Sequence, residues 1–245
     1  MIFPAIDTSG KSGGITLAEG DLRAFQSLGS TPIAGGAFSA QLVPTLSGLL
    51  RQRGLAAADL GGLVAVSGPG SFTGLRVGLS AVKGLAEALN VPIATVSVLE
   101  MLAALSPQSG KIAVALDAGR AEVFFGLYEL GLYELSGGHT SSASTFRASM
   151  LREQLLSLHE FTHELQSARP ACLITSEPSL ADVGTEARVH VQTVERPGSE
   201  SAARLGLRKL LDGDTISVEA LDANYIRRSD AEMFSSADAK PKQAQ

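Results

Sequence analysis

Tryptophan is absent from this sequence of 245 residues, aromatics make up 5% of it, and no histidine occurs before His139. A base-stacking platform for single-stranded nucleic acid needs several exposed rings, and this composition offers almost none. Positive charge is also scarce: 20 Lys and Arg stand against 25 Asp and Glu, a formal charge of −5, with no basic cluster denser than Arg227 and Arg228. So little cannot neutralise many phosphates, which argues against RNA binding by the chain alone. The single cysteine, Cys172, excludes an internal disulfide framework. No apolar run reaches the length of a membrane span, and the opening residues, Met1 to Ile6, have no basic flank and meet Asp7 too early for a signal peptide. A cytoplasmic protein away from the membrane is expected.

What is present is core-forming material. Hydrophobic residues make up 44% of the chain, enough for one large domain or two small ones. The most informative stretch begins at an apolar run, Leu63, Val64, Ala65 and Val66, and passes through Ser67, Gly68, Pro69 and Gly70 to Ser71. Neither strand nor helix tolerates that turn inside it, and Ser71 is placed to cap a helix reaching about Asn90. Leu75, Leu79, Val82, Ala86 and Leu89 recur on one helical face, with Arg76, Ser80, Lys83, Glu87 and Asn90 opposite. A third stripe, Gly74, Gly78, Ala81, Gly84 and Ala88, is unusual, because each interior glycine costs roughly 1 kcal/mol relative to alanine. Small residues in a row admit another backbone, so the leucine face is read onto the chain's own sheet and the small stripe onto a second helix.

Residues 2–6 read as a strand ending at Asp7, Thr8, Ser9 and Gly10, with residues 14–19 as its hairpin partner. Such a hairpin has the shape of a phosphate loop, in which Asp7, Thr8 and Ser9 would hold magnesium and phosphate; the alternative is that Asp7 caps the turn. A helix follows over residues 40–54, with Leu42, Leu46, Leu49 and Leu50 as its stripe and Gly54 as its stop. Strand 92–96 and helix 98–105 precede a boundary at residues 106–110. Then the pattern restarts: residues 111–117 form an apolar strand ending at Asp117, followed by Gly119, Arg120 and a strand over 122–129. Two halves with one opening suggest duplication. Residues 131–145 read as a loop, 146–167 as a helix carrying Met150, Leu151, Leu155, Leu158 and Leu165, 171–175 and 189–194 as strands, and 199–211 as a helix capped by Ser199. The expected division is a lobe over 1–106, a smaller lobe over 107–234 whose last segment returns to the first, and a polar, disordered tail over 235–245.

His159, Glu160 and His163 spell H-E-x-x-H on a predicted helix, the pattern of zinc peptidases. A third ligand is required, and none follows at the spacing such enzymes use; Glu177 and Glu186 are distant. A surface helix is the preferred reading, with a zinc peptidase and a small-molecule kinase using Asp7 and Asp117 as alternatives. Residues 68–74 fit neither the dinucleotide fingerprint nor a Walker loop, and Pro69 removes a donor, so they read first as turn geometry.

Taken together, residues 67–78, Ala5 to Ser9, Ala115 to Ala118, and Asn224 and Tyr225 with Arg227 and Arg228 resemble the bacterial TsaB family, also called YeaZ, over nearly the whole chain. The resemblance implies an α/β, duplicated, two-lobed fold of the actin, sugar-kinase and heat-shock-ATPase kind, which is ribonuclease H-like. It implies a non-catalytic subunit of the machinery that makes N6-threonylcarbamoyladenosine at position 37 of tRNA. Its partners would be the catalytic TsaD and the ATPase TsaE, with tRNA met only through the complex, a homodimer as the form of the chain alone, and no cofactor except ATP at the partner interface. The implied partner face comprises Leu42, Leu46, Leu49, Gly74, Val77, Gly78 and Ala81, and the implied nucleotide residues are Asp7, Thr8, Ser9 and Asp117. On this reading a larger residue at Gly78 weakens partner binding and leaves the isolated chain intact. The sequence departs from the family pattern at Phe38, where histidine is common, at Ser67, where arginine is common, and at the order Gly119, Arg120. The paralogue's metal-binding His-x-x-x-His is replaced here by residues 38–42, Phe-Ser-Ala-Gln-Leu.

Overall fold

The structure, a computed structural model, describes residues 1–133, 145–224 and 226. Two five-stranded sheets carry the fold. The first comprises β1 (Ile2–Asp7), β2 (Ser12–Gly20), β3 (Phe25–Ala34), β4 (Leu63–Gly68) and β5 (Ile93–Ser97), ordered β3-β2-β1-β4-β5. The second comprises β6 (Gly110–Gly119), β7 (Glu122–Tyr133), β8 (Thr145–Ser157), β9 (Cys172–Thr175) and β10 (Val191–Thr193), ordered β10-β9-β6-β7-β8. In each sheet the first three strands of the repeat run antiparallel and the last two join in parallel. The helices repeat as well. Helices α1 (Phe38–Gln52), α2 (Phe72–Leu89) and α3 (Val98–Ala103) occupy the same places in the first half as α4 (Leu158–Ala168), α5 (Pro178–Glu186) and α6 (Ser199–Asp212) in the second. This is the duplicated, two-lobed α/β fold that the resemblance implies.

Strand periodicity explains the layers. On β4, Val64 and Val66 face a central core while Leu63 and Ala65 face an outer one; β6 repeats this with Ile112, Val114 and Leu116 inside and Ala113 and Ala115 outside. Strands covered on both faces read as continuous apolar runs. The outer core of the first sheet is closed by α1 and α2, and that of the second by α4 and α5. The central core is shared by both sheets, and the third helix of each repeat crosses into the other: α3 packs on β6 and β7, and α6 on β1, β2, β4 and β5.

Several local expectations change. Residues 145–157 are strand, not the first part of a helix; β8 pairs with β7 over its length, matching Tyr128 with Met150 and Phe124 with Leu155. A long ladder to a neighbouring strand outweighs the weak helical preference of the segment. As an edge strand it leaves Met150 62% and Leu151 52% exposed, two of the five residues that read as a helical stripe. The helix starts only at Leu158, where Ser157 and Glu160 form a capping box. Ser199 is the first residue of α6 and not its cap; Gly198 takes that position, and the Ser199 hydroxyl instead bonds the buried Thr16 hydroxyl at 2.8 Å. Strand β3 and helix α5 are additions, the former polar and half exposed, the latter opened by Pro178 at a position that needs no donor. The tail at 235–245 and most of the expected loop at 131–145 lie outside the described residues.

Candidate functional site

The turn at residues 68–70 delivers the chain from β4 into α2, whose cap is formed as expected: Ser71 Oγ accepts the Gly74 N–H at 3.2 Å. Beneath the helix lies the loop after β1. Asp7 Oδ1 accepts the Ser9 N–H at 2.9 Å and the Ser9 hydroxyl at 2.6 Å, so the carboxylate closes an Asx turn. The Ser9 carbonyl accepts the Ser71 N–H at 2.7 Å, tying this loop to the start of α2. A Cβ on Gly74 would overlap the Thr8 carbonyl oxygen, and one on Gly78 the Thr8 hydroxyl. The small-residue stripe does admit a close backbone, and that backbone is the chain's own Thr8. The expectation that Gly78 is free to meet another chain is therefore corrected: a leucine there collides inside the monomer.

The remaining residues expected to meet a partner divide in the same way. Leu42, Leu46 and Leu49 are buried in the outer core, with Gly74 and Gly78 buried beside them, whereas Val77 and Ala81 are half-buried. The surface offered outward is a groove of about 380 Å³ between α1 and α2, bordered by Ser39, Val43, Arg76, Val77, Ser80 and Ala81. Val43 is 52% exposed and Phe72, at the head of α2, 41%. The guanidinium of Arg76 lies 3.7 Å from the Phe72 ring centroid, a cation–π contact that places the arginine at the groove and not on a separate polar side. Sequence reasoning missed Val43, although an exposed valine directly after Leu42 broadens the apolar stripe of α1 past what one sheet covers. Phe38 is buried at the start of α1.

A second cavity, about 1090 Å³, opens between the lobes and is lined by Ser9, Lys11, Asp117, Arg120, Glu177 and Arg196 among others. It brings Ser9 and Asp117 to one cleft from the two repeats. Asp7 and Thr8 are buried below its floor, while Asp117 is exposed with Oδ1 accepting the Gly119 N–H at 2.8 Å. Arg196, which no sequence pattern singled out, donates to Ser9 Oγ at 3.2 Å. Farther in, Glu153 accepts from Ser97, Tyr128 and Asn224. Burial, and then the adjacent Glu153 carboxylate, pushes the Tyr128 hydroxyl far above its ordinary pKa, so it stays a protonated donor.

His159 and His163 are exposed on α4, and Glu160 spends its carboxylate on the Ser157 N–H at 2.8 Å and hydroxyl at 2.7 Å. Those two bonds hold its pKa below the usual carboxylate range. Among the described residues no group of three His, Cys, Asp or Glu side chains is gathered as a metal site, and no helix is long and apolar enough to cross a membrane.

The family model for TsaD, tRNA N6-adenosine threonylcarbamoyltransferase, matches residues 32–160. A full-length relative, the tRNA threonylcarbamoyladenosine biosynthesis protein TsaB of Bacillus subtilis (strain 168), is 30% identical over 240 residues, covering 95% of this chain and 96% of its own. The chain belongs to the TsaB family. The TsaB of Escherichia coli (strain K12) is 25% identical over 194 residues, 77% of this chain and 80% of that one. YeaZ from Pseudomonas aeruginosa shares the fold with a TM-score of 0.68 at 22% identity, over 91% of this chain and 99% of its own. In this TsaB-family chain the whole α1/α2 groove lies inside the segment that matches the TsaD-type model.

Proposed function

We propose that this TsaB-family chain takes part in tRNA threonylcarbamoyladenosine biosynthesis as a non-catalytic subunit that pairs with a TsaD-type paralogue across the α1/α2 groove. The observation that carries the reading is the apolar groove itself, with Val43 exposed and Val77 and Ala81 half-buried along it, on a segment that resembles the paralogue's own. Two chains with related faces can join by a pseudo-two-fold arrangement in which like surface meets like. Exposed apolar surface of this kind marks association. Without the paralogue the same groove pairs two copies of the chain. A TsaE-type ATPase joins as a third partner, ATP is held only where partners meet, and tRNA is engaged through the complex.

A catalytic role for the chain has little support from its own side chains. Asp7 is engaged by Ser9, and Asp117 by the backbone of its own turn. The zinc-peptidase alternative loses its base, since the Glu160 carboxylate is held by Ser157 in the capping box of α4. The expected outcome for Val43→Glu is at least about a tenfold loss of paralogue affinity, some 1.4 kcal/mol, with an unchanged melting temperature, because the side chain points outward. Titration calorimetry with the purified paralogue checks it. Undiminished affinity would place the interface elsewhere, and stoichiometric zinc in the purified chain would revive the peptidase.

A further inference from the structure

After α6 the chain returns along the first lobe as a strap. The Ile216 N–H donates to the Ile93 carbonyl at 2.9 Å beside β5, and Leu221 and Ala223 are buried in the outer core. The strap then reaches Asn224, which makes two bonds to different parts of the molecule. Its backbone N–H donates to the Ser67 carbonyl at 2.7 Å, and its side-chain Nδ2 donates to Glu153 Oε2 at 2.6 Å. Glu153 belongs to β8 of the other sheet. Its Oε1 accepts the Ser97 hydroxyl at 2.6 Å and the hydroxyl of buried Tyr128. One carboxylate thus joins the end of β5, the second sheet and the strap.

Ser67 is also where the approach to α2 begins. The turn that follows is held on two sides: before it the Ser67 carbonyl is bound by the Asn224 N–H, and after it the Ser71 N–H is bound by the Ser9 carbonyl. The Ser9 side is fixed by the tight packing of Thr8 under α2. The Asn224 side depends on the strap staying seated: Leu221 and Ala223 are buried, and the side-chain bond to Glu153 ties Asn224 to the second sheet.

We infer that Glu153 and Asn224 are positioning residues for the paralogue face, an amide–carboxylate clasp that sets the turn at residues 67–71 and with it the head of α2, where Phe72, Arg76 and Val77 border the groove. The inference rests on the pairing proposed above. Neither clasp residue lines the groove, so its influence passes through Ser67 and the turn.

The test uses the full chain and exchanges donor for acceptor. Asn224→Ala removes the side-chain bond and leaves the backbone one. Glu153→Gln keeps an oxygen for Ser97 and Tyr128, and a flip of the Asn224 amide lets its Oδ1 accept from the new side-chain N–H, so this variant is the conservative control. Asn224→Asp sets carboxylate against carboxylate, and Glu153→Gln with Asn224→Asp restores the bond in reverse. Unlike that control, Asn224→Ala and Asn224→Asp are each expected to speed amide hydrogen exchange at residues 70–76 by about tenfold. Each also weakens paralogue binding by roughly fivefold, and the reciprocal pair recovers most of both losses.

A merely destabilising role predicts that exchange quickens throughout the first sheet as much as at residues 70–76, and that result overturns the inference, as does a reciprocal pair that recovers nothing. So does unchanged exchange in Asn224→Ala, or faster exchange with unchanged affinity. If a charged variant does not fold, Asn224→Ala decides alone on these two readouts. Val43→Glu separates the two proposals: intact affinity in that variant removes the groove as the interface, whatever the clasp variants do to exchange.

Discussion

Gly78 and Gly84 stand on one helix in one small-residue stripe, yet what lies above them differs. Gly84 has nothing within 4 Å of where a Cβ would sit, while Gly78 is covered by Thr8. Gly84→Ala is therefore expected to stabilise the chain by about 1 kcal/mol through helix propensity. Gly78→Ala is expected to destabilise it by roughly 1–3 kcal/mol through overpacking. Urea denaturation of the two variants reads both signs. Thr8→Ala, added to Gly78→Ala, should recover part of the loss, because the hydroxyl and methyl that collide are then gone. No such rescue is open to Gly74→Ala, where the atom met is the Thr8 backbone oxygen.

At the scale of elements, α4 shows how a metal-site pattern can arise from capping chemistry. A helix that starts at Ser157 gains from a glutamate three residues later, and this alone accounts for Glu160. Ser157→Ala is expected to cost about 1 kcal/mol. Glu160 also gives the cap a pH dependence of definite sign. Its folded pKa lies below the ordinary carboxylate value, so its stabilisation is fully present above that ordinary value and is lost as pH falls through the lowered one. The melting temperature of Glu160→Gln should consequently lie below the parent's at neutral pH and converge with it in acid. Changing His163 to alanine should leave that profile in place, since this histidine neither takes part in the cap's hydrogen bonds nor helps to lower the Glu160 pKa.

The molecule as a whole is held by a core that belongs to neither lobe alone. Phe3, Val64 and Val96 of the first sheet, Ile112, Val114 and Ile174 of the second, and Ala203 and Leu207 of α6 share one cluster. A fragment ending at residue 106 would lack α6 and expose the inner face of its sheet. Such a fragment is expected to lose the cooperative melting of the full chain, whose far-UV circular dichroism and tyrosine fluorescence should report one coincident transition. Two separate transitions would show lobes that fold independently.

Local chemistry alone determined much of this protein. The strand, glycine turn and capped helix at residues 63–90 were legible because each signal acts within a few residues, and the second apolar strand ending at Asp117 disclosed the duplication in the same way. The stripe of Gly74 and Gly78 announced that a backbone comes close, since only such an approach offsets the cost of interior glycines. It could not say whose backbone, because Thr8 lies some seventy residues away in sequence and is brought there by the pairing of β1 with β4. Residues 145–157 carry too weak a periodicity to choose their own state, and β7 chose it for them through a cross-strand ladder. The groove and the clasp were likewise decided by tertiary structure. Which side of α1 remains uncovered, and where the strap after α6 ends, depend on what the rest of the chain has already buried.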